Sequence, residues 1–261
     1  MGTIVNIKVE RSLHSKKAVE EAVVRMKELE AKFNRFDKKS EVYKINIRGK
    51  GSKAEVSQDF RNLMNLAIYL NKITGGAFDV TLGKPGGKLD FGAIAKGYIV
   101  DEAVNIFKVY GVKSAIVDAG GDIFCVGDNK GNAWTVGIRD PKNKKNIIAK
   151  IKVRDRAVAT SGAYEKKYPH IIDPRTGYPV KNNVLSATVI SRKCATADAL
   201  ATALFVLKPE EGLALIEELD DADCVIICEE KDKIRFIISS DFMEGVEILG
   251  KSSRSHLSAT Y

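Results

Sequence analysis

Residues 195–207, ATADALATALFVL, read as a helix that is apolar nearly all round, and such a helix has to be sheltered on every side. Whatever fold the chain adopts must enclose this segment, and 261 residues suffice to build a core of that thickness. Asp198 and Thr202 stand four apart in it, about 40° from each other around the helix axis. A carboxylate and a hydroxyl on one face are hard oxygen ligands, the kind Mg2+ takes when phosphates and water complete its shell. An aspartate in an apolar helix is costly to bury unless it is paired or metal-bound. A second reading has Asp198 capping a neighbouring element and Thr202 bonding back to its own helix. The residues alone leave both open.

The segments around this helix alternate without strict βαβ order, which favours an α+β fold over a doubly wound sheet. Residues 3–9 alternate as a strand, and residues 16–34 carry apolar side chains at helical spacing. Ser40 is placed to cap a short helix and Ser57 a long one running to Ile73, which Gly75 and Gly76 end. A strand over residues 89–91 is expected to turn at Gly92 into a helix ending near Gly111. Strands follow over 115–117, 123–126 and 134–138, two more over 147–160, and one over 184–191. Pro209 opens a helix to Leu219, and strands over 224–228 and 234–238 close the fold. One domain is expected over residues 1–250, or two intertwined subdomains, with a flexible tail over 251–261.

Between the last two helices and the early strands lies YPHIIDPRTGYP, residues 168–179. Asp173-Pro174 must turn, because proline fixes its own φ and restricts its neighbour, and Gly177 permits backbone shapes closed to other residues. His170 stands just before this rigid polar loop. The arrangement suits a phosphate or nucleotide site, and equally a tight turn with a hydrogen-bonded histidine.

Three further segments admit an anion. Lys96, in GAIAKGY, can reach a phosphate near a helix N-terminus, or lie solvated with its stem on apolar surface. Gly120 and Gly121, in AGGD, let backbone amides approach an anion closely. Thr160-Ser161-Gly162 is a small hydroxyl-rich turn. The net charge of +8, from 42 Lys+Arg against 34 Asp+Glu, fits such a ligand. The basic residues are spread along the chain with no long stripe interleaved with aromatics, so nucleic acid is not expected as a partner. Walker and dinucleotide glycine fingerprints are absent, as is a serine or cysteine triad. The four cysteines lie mostly in apolar runs without metal-knuckle spacing, and Cys224 and Cys228 share one strand face. No signal peptide and no run of membrane-span length is evident.

The order of these segments carries further meaning. MGT at 1–3, SEVYKIN at 40–46, GGAFDVT at 75–81 and LDFGAIAKGY at 89–98 come first. AGGD at 119–122, ATSG at 159–162, HIIDPRTGYP at 170–179 and ADALATALF at 197–205 complete the series. It closely resembles the ApbE family, the FAD:protein FMN transferases, over essentially residues 1–240.

The resemblance implies a fold of mixed, largely antiparallel sheets packed with helices. It implies transfer of the FMN half of FAD onto a threonine hydroxyl of a target flavoprotein, typically a redox-complex subunit, with release of AMP. By the same resemblance, Asp198 and Thr202 are Mg2+ ligands, with the carbonyl of Ala93 as a third. Lys96, Gly120, Gly121, Asp122, Thr160, Ser161 and Gly162 contact the flavin and pyrophosphate. His170, Asp173 and Thr176 belong to the loop at the reacting phosphate, His170 as proton acceptor, with Asp173 as the alternative base. Water as acceptor would make the same site a Mg2+-dependent FAD pyrophosphatase, and a non-catalytic flavin-binding protein is a third reading. Family members usually carry an export signal with a lipid-attachment cysteine, so either a signal was removed here or this member stays inside the cell. A membrane is expected as a partner only through such an anchor. Ser258-Ala259-Thr260 faintly resembles the acceptor motif, but the same triplet recurs inside the strand at residues 186–188, and self-modification is not expected.

Overall fold

A strand that is apolar on both faces needs cover on both. Strand β8 (Ala222–Glu230) is such a strand: Cys224, Ile226 and Cys228 pack into one core, Val225 and Ile227 into another. The protein, a computed structural model, is described over residues 2–48, 55–84, 87–162, 171–231, 233–249 and 253–254. β8 lies inside an eight-stranded sheet whose other members are β1 (Val5–Val9), β2 (Ser114–Ala119), β3 (Asp122–Gly127), β6 (Arg156–Gly162), β7 (Val184–Ser191), β9 (Lys233–Ile238) and β11 (Ser253–Arg254). Their order is β1-β2-β3-β6-β7-β8-β9-β11, antiparallel throughout except for the β11–β9 pair.

Helices α1 (Ser15–Phe33), α3 (Gln58–Ile73), α4 (Ala95–Val109), α5 (Cys194–Val206) and α6 (Pro209–Glu217) supply the core on one face. A three-stranded sheet, ordered β10 (Val246–Ile248), β5 (Ile147–Val153), β4 (Trp134–Arg139), covers the other with Phe242 of a short 3-10 helix, Ser240–Gly245. Period-two alternation sorts the sheet's side chains between the layers: Ala157 and Ala159 of β6 face the helices, Val158 the small sheet. These alanines let α5 lie close on β6 and β7. Leu200 and Leu204 of α5 are completely enclosed, and each contributes about 1.5–3 kcal/mol by burial. The all-round apolar helix is therefore central, as its pattern requires.

Local signals hold where they are short-range. The Ser40 Oγ accepts the Tyr43 N–H at 3.0 Å at the start of α2 (Glu41–Arg48), and the Ser57 Oγ accepts the Phe60 N–H at 3.3 Å at the start of α3. Pro209 is the first residue of α6. The strand expected over residues 89–91 is absent. Leu89 is held instead by the Asn46 side chain, whose Nδ2 donates to the Leu89 carbonyl at 2.9 Å and whose Oδ1 accepts the Leu89 N–H at 2.7 Å. A side-chain amide thus stands where a neighbouring strand would. The short β10 carries no sequence signal, since three residues are too few to show alternation. Of the tail, only Ser253–Arg254 is described, paired with Arg235 and Phe236 of β9. No helix among the described residues is long and apolar enough to cross a membrane.

Candidate active site

A cleft of about 1530 Å3 opens between the N-terminal approach to α4, the β2–β3 turn, β6 and α5. It gathers most of the residues singled out above: Ala93, Lys96, Gly120, Gly121, Thr160, Ser161, Asp198 and Thr202 all line it. The spacing of Asp198 and Thr202 does place them on one face, and that face is the cleft. Asp198 is only 4% exposed. Its Oδ1 lies 3.4 Å from the Lys96 Nζ, and its Oδ2 accepts the Gly97 N–H at 3.3 Å. The Thr202 hydroxyl is 3.2 Å from the Ser161 hydroxyl, and Thr160 and Thr188 hydroxyls are 2.9 Å apart one pair further along β6 and β7.

Asp122 does not line the cleft; it sits behind it, 2% exposed, in an ion pair with Lys96. Burial pushes its carboxyl well above the ordinary carboxylate range, and the negative Asp198 beside it pushes the same way. One lysine ammonium therefore stands between two buried carboxylates. Gly162, buried at the end of β6 and paired with Ser186, also lies off the cleft wall.

The β2–β3 turn is built for close approach. Gly120 has φ +68°, and a Cβ there would stand 2.1 Å from the Thr3 hydroxyl. The neighbouring Gly121 N–H is taken by the Asp118 Oδ1 at 2.8 Å, so Asp118 shapes this turn. Residues 135–139 of β4 form another wall, with Arg139 and Lys144 among the lining side chains. Neither Asp118 nor β4 stood out in the sequence: one is a lone aspartate in a strand, the other an ordinary alternating strand.

The loop after β6 divides between two cavities. Ile171, Ile172 and Pro174 face the cleft, while Asp173 and Thr176 line a second cavity of about 750 Å3 with Lys181, Lys208 and Glu211. Arg175 holds the Asp173 carboxylate through two contacts of 2.9 Å and keeps its carboxyl below the ordinary value. The Asp173 carbonyl accepts the Gly177 N–H at 2.8 Å, closing the turn at a glycine with φ +76°. Gly83 packs so tightly on this loop that a Cβ would stand 1.6 Å from the Pro174 carbonyl oxygen. His170 lies outside the described residues.

The family comparison bears directly on this constellation. A model of the ApbE family matches residues 1–86 and 82–226. The chain belongs to the ApbE family. A curated FAD:protein FMN transferase of Treponema pallidum is 38% identical over 192 residues, 67% of this chain and 52% of the relative. One from Vibrio cholerae is 28% identical over 299 residues, 93% of this chain and 89% of the relative. The chain thus spans about half the length of the Treponema relative and most of the Vibrio one. The solved flavin transferase ApbE from Vibrio cholerae superposes with a TM-score of 0.85 at 29% identity, over 94% of this chain and 96% of that one. The ApbE protein from Thermotoga maritima gives 0.83 at 29% identity, over 94% and 96%. The α+β fold expected from the mixed order of helices and strands is accordingly the ApbE fold.

The ApbE motifs also separate by what they do here. In SEVYKIN, Ser40 caps α2, Asn46 anchors Leu89, and the Glu41 carboxylate accepts the Ser57 N–H at 2.5 Å and its hydroxyl at 2.6 Å. In GGAFDVT, the Asp79 Oδ1 accepts from the Thr81 N–H at 2.7 Å and its hydroxyl at 2.8 Å, shaping the turn that supports Pro174. SEVYKIN braces the cleft from behind, GGAFDVT both braces it and lines it through Ala77, Phe78 and Asp79, and the motifs around Lys96, Gly120, Ser161 and Asp198 form the rest of its surface.

The oxygen set suits a hard divalent cation. Asp198, Thr202 and Ser161 present oxygens to the cleft, and Asp122 stands behind with one ammonium shared between the two carboxylates. No group of three or more His, Cys, Asp and Glu side chains that could hold a metal occurs among the described residues. A cation here would need ligand oxygens to complete its shell, the usual condition of Mg2+ at phosphates.

Proposed function

We propose that this protein transfers FMN from FAD to a threonine hydroxyl of an acceptor flavoprotein and releases AMP, with Mg2+ required. The observation that carries the reading is the Asp198–Lys96–Asp122 cluster, with the Thr202 and Ser161 hydroxyls, at the wall of one large cleft. At about 1530 Å3 the cleft exceeds the roughly 300–1,000 Å3 of ordinary small-ligand sites, which leaves room for a dinucleotide together with an acceptor segment. The family and the names of its curated members point the same way.

In the reaction, the acceptor hydroxyl oxygen forms a bond to the phosphorus of the FMN half. The anhydride bond to the AMP half breaks, and AMP leaves with the bridging oxygen. Asp198, Thr202 and the Ala93 carbonyl would hold Mg2+, which when bound neutralises pyrophosphate charge and orients its oxygens. Lys96 adds positive charge beside the phosphates. The Gly120–Gly121 turn, held in shape by Asp118, and the Thr160 and Ser161 hydroxyls would face the flavin and pyrophosphate, whereas Gly162 lies off the cleft wall. His170 takes the acceptor proton in this proposal. Asp173, the alternative base, has both carboxylate oxygens engaged by Arg175, which favours the histidine. Thr176 belongs to the same loop and shapes it through its bonds to the Asp173 carbonyl.

The test is mass spectrometry of a reaction containing the protein, FAD, Mg2+ and an acceptor domain bearing the threonine motif. The expected result is an acceptor heavier by one FMN, absent with Asp198→Ala. Accumulation of FMN and AMP with unmodified acceptor would replace the transferase by a pyrophosphatase. Intact FAD would leave a flavin-binding protein.

A further inference from the structure

Helix α5, which carries Asp198 and Thr202, has no capping side chain and no favourable end charge of its own. Its N-cap Lys193 makes no side-chain cap, its first turn holds no acidic residue, and its last turn holds no basic one. Both ends are instead served by side chains from elsewhere. At the N-terminus, Asp101 of α4 accepts the Cys194 N–H at 2.7 Å on Oδ1 and the Ala195 N–H at 2.9 Å on Oδ2. At the C-terminus, the Asn182 Nδ2 donates to the carbonyls of Phe205 at 2.9 Å, Val206 at 3.4 Å and Leu207 at 3.1 Å. The Asn182 Oδ1 meanwhile accepts the Val184 N–H at 3.0 Å, tying this cap to the start of β7.

The two caps come from the segments that complete the site. Asp101 lies one helical turn after Gly97, on the same face of α4. At Gly97 the helices touch backbone to backbone: a Cβ there would stand 2.3 Å from the Cys194 carbonyl oxygen. The Gly97 N–H also reaches the Asp198 Oδ2, and the adjacent Lys96 reaches Oδ1. Asn182 follows directly on the loop over residues 171–180, whose Ile171, Ile172 and Pro174 face the cleft. A rotation or slide of α5 that would misaim Asp198 and Thr202 must break contacts at one end or the other.

We infer that Asp101 and Asn182 are positioning residues of the cation site, clamping α5 between α4 and the 171–182 segment so that Asp198 and Thr202 share one aim. This rests on the reading above that these two residues hold a divalent cation. Neither positioning residue lines the cleft. Each acts through the backbone of α5, much as outer-shell partners fix metal ligands elsewhere.

The test compares the unaltered protein with Asp101→Asn, Asn182→Ala and Leu213→Ala. Asparagine at 101 keeps one acceptor oxygen but turns an amide N–H2 toward a backbone N–H. Leu213 is a buried residue of α6 away from the cleft, and its truncation reports what general loosening of the core does. Mn2+ binding to the FAD-loaded protein, without acceptor, is followed by loss of the free-ion EPR signal. FAD binding without metal is followed by flavin fluorescence. Asp101→Asn and Asn182→Ala should each weaken Mn2+ binding by about tenfold or more, with metal-free FAD affinity within about twofold of the unaltered protein. Leu213→Ala should change neither. The two caps act at opposite ends of the helix, so either folded variant is a sufficient test. Unchanged Mn2+ affinity in a folded cap variant, or an equal loss in Leu213→Ala, overturns the inference. Failure of the unaltered protein to bind Mn2+ overturns the reading of the site itself.

Discussion

The Lys96 ammonium lies 3.4 Å from the Asp198 carboxylate while it is also paired with Asp122, so a single positive charge serves two carboxylates buried to within 4% and 2% of complete enclosure. Removing one partner of a buried ion pair costs about 3–5 kcal/mol, because the other charge is left uncompensated. A divalent cation at Asp198 would supply the same compensation. Lys96→Met should therefore lower the melting temperature in the absence of metal, and Mg2+ should raise it by more in the variant than in the unaltered protein. Thermal denaturation with and without Mg2+ measures this; equal Mg2+ shifts would contradict it.

The α4–α5 crossing leaves no space for a methyl group at Gly97, and the atom in the way is backbone, the Cys194 carbonyl oxygen. Gly97→Ala should push the helices apart and cost about 1–3 kcal/mol. Because the Gly97 N–H also meets Asp198, the proposed FMN transfer should fall further than the change in folded fraction accounts for. Urea denaturation and turnover on the same preparation separate the two effects.

Two aspartates should make opposite contributions to the pH dependence of stability. Hydrogen bonding to Arg25 holds the Asp59 carboxyl below its ordinary value, so its contribution is present at neutral pH and is lost as pH falls into the acid range. Burial raises the Asp101 carboxyl to about 6, only partly offset by the two N–H groups it accepts. Its contribution is present below the ordinary value of 3.8 and is lost as pH rises through about 6. The stability advantage of the unaltered protein over Asp59→Asn should shrink on acidification. Its advantage over Asp101→Asn should shrink on going from pH about 4 to pH about 7. Melting temperatures across that range check both signs.

Asn46 supplies the only two bonds described for the Leu89 backbone, at the entrance to the segment that ends in Lys96. Asn46→Ala should destabilise the protein by about 1–3 kcal/mol, the cost of leaving partly buried backbone groups unpaired. Asn46→Asp, which keeps one acceptor and loses the donor, should fall between. Chemical denaturation of the three proteins gives the order, and a variant as stable as the original would remove Asn46 from this role.

Much of the fold is legible in short stretches. Residues 184–191 read as a strand and form β7 over that same span, Ser40 and Ser57 sit where caps are needed, and Pro209 begins a helix. The pairing of Asp198 with Thr202 on one face is equally readable, because four residues of helix fix an angle whatever surrounds it. The strand expected over residues 89–91 fails for the opposite reason: its apolar residues suit a strand, but the partner that takes up its hydrogen bonds is a side chain 43 residues away.

Sequence pattern failed at residues 89–91 and at the short β10, but it was enough for the long helices and most of the strands, for the helix that must be enclosed, and for the oxygen-bearing residues that share its polar spot. Those properties arise from interactions within a few residues. Packing of distant segments decided that Lys96 stands between Asp198 and Asp122, that Asp101 caps a helix 93 residues further on, and that Asp173 lines a second cavity with Lys208 and Glu211. These depend on how the layers pack around α5, and a charge or an amide takes the partner that packing brings within about 3 Å, whatever its distance along the chain.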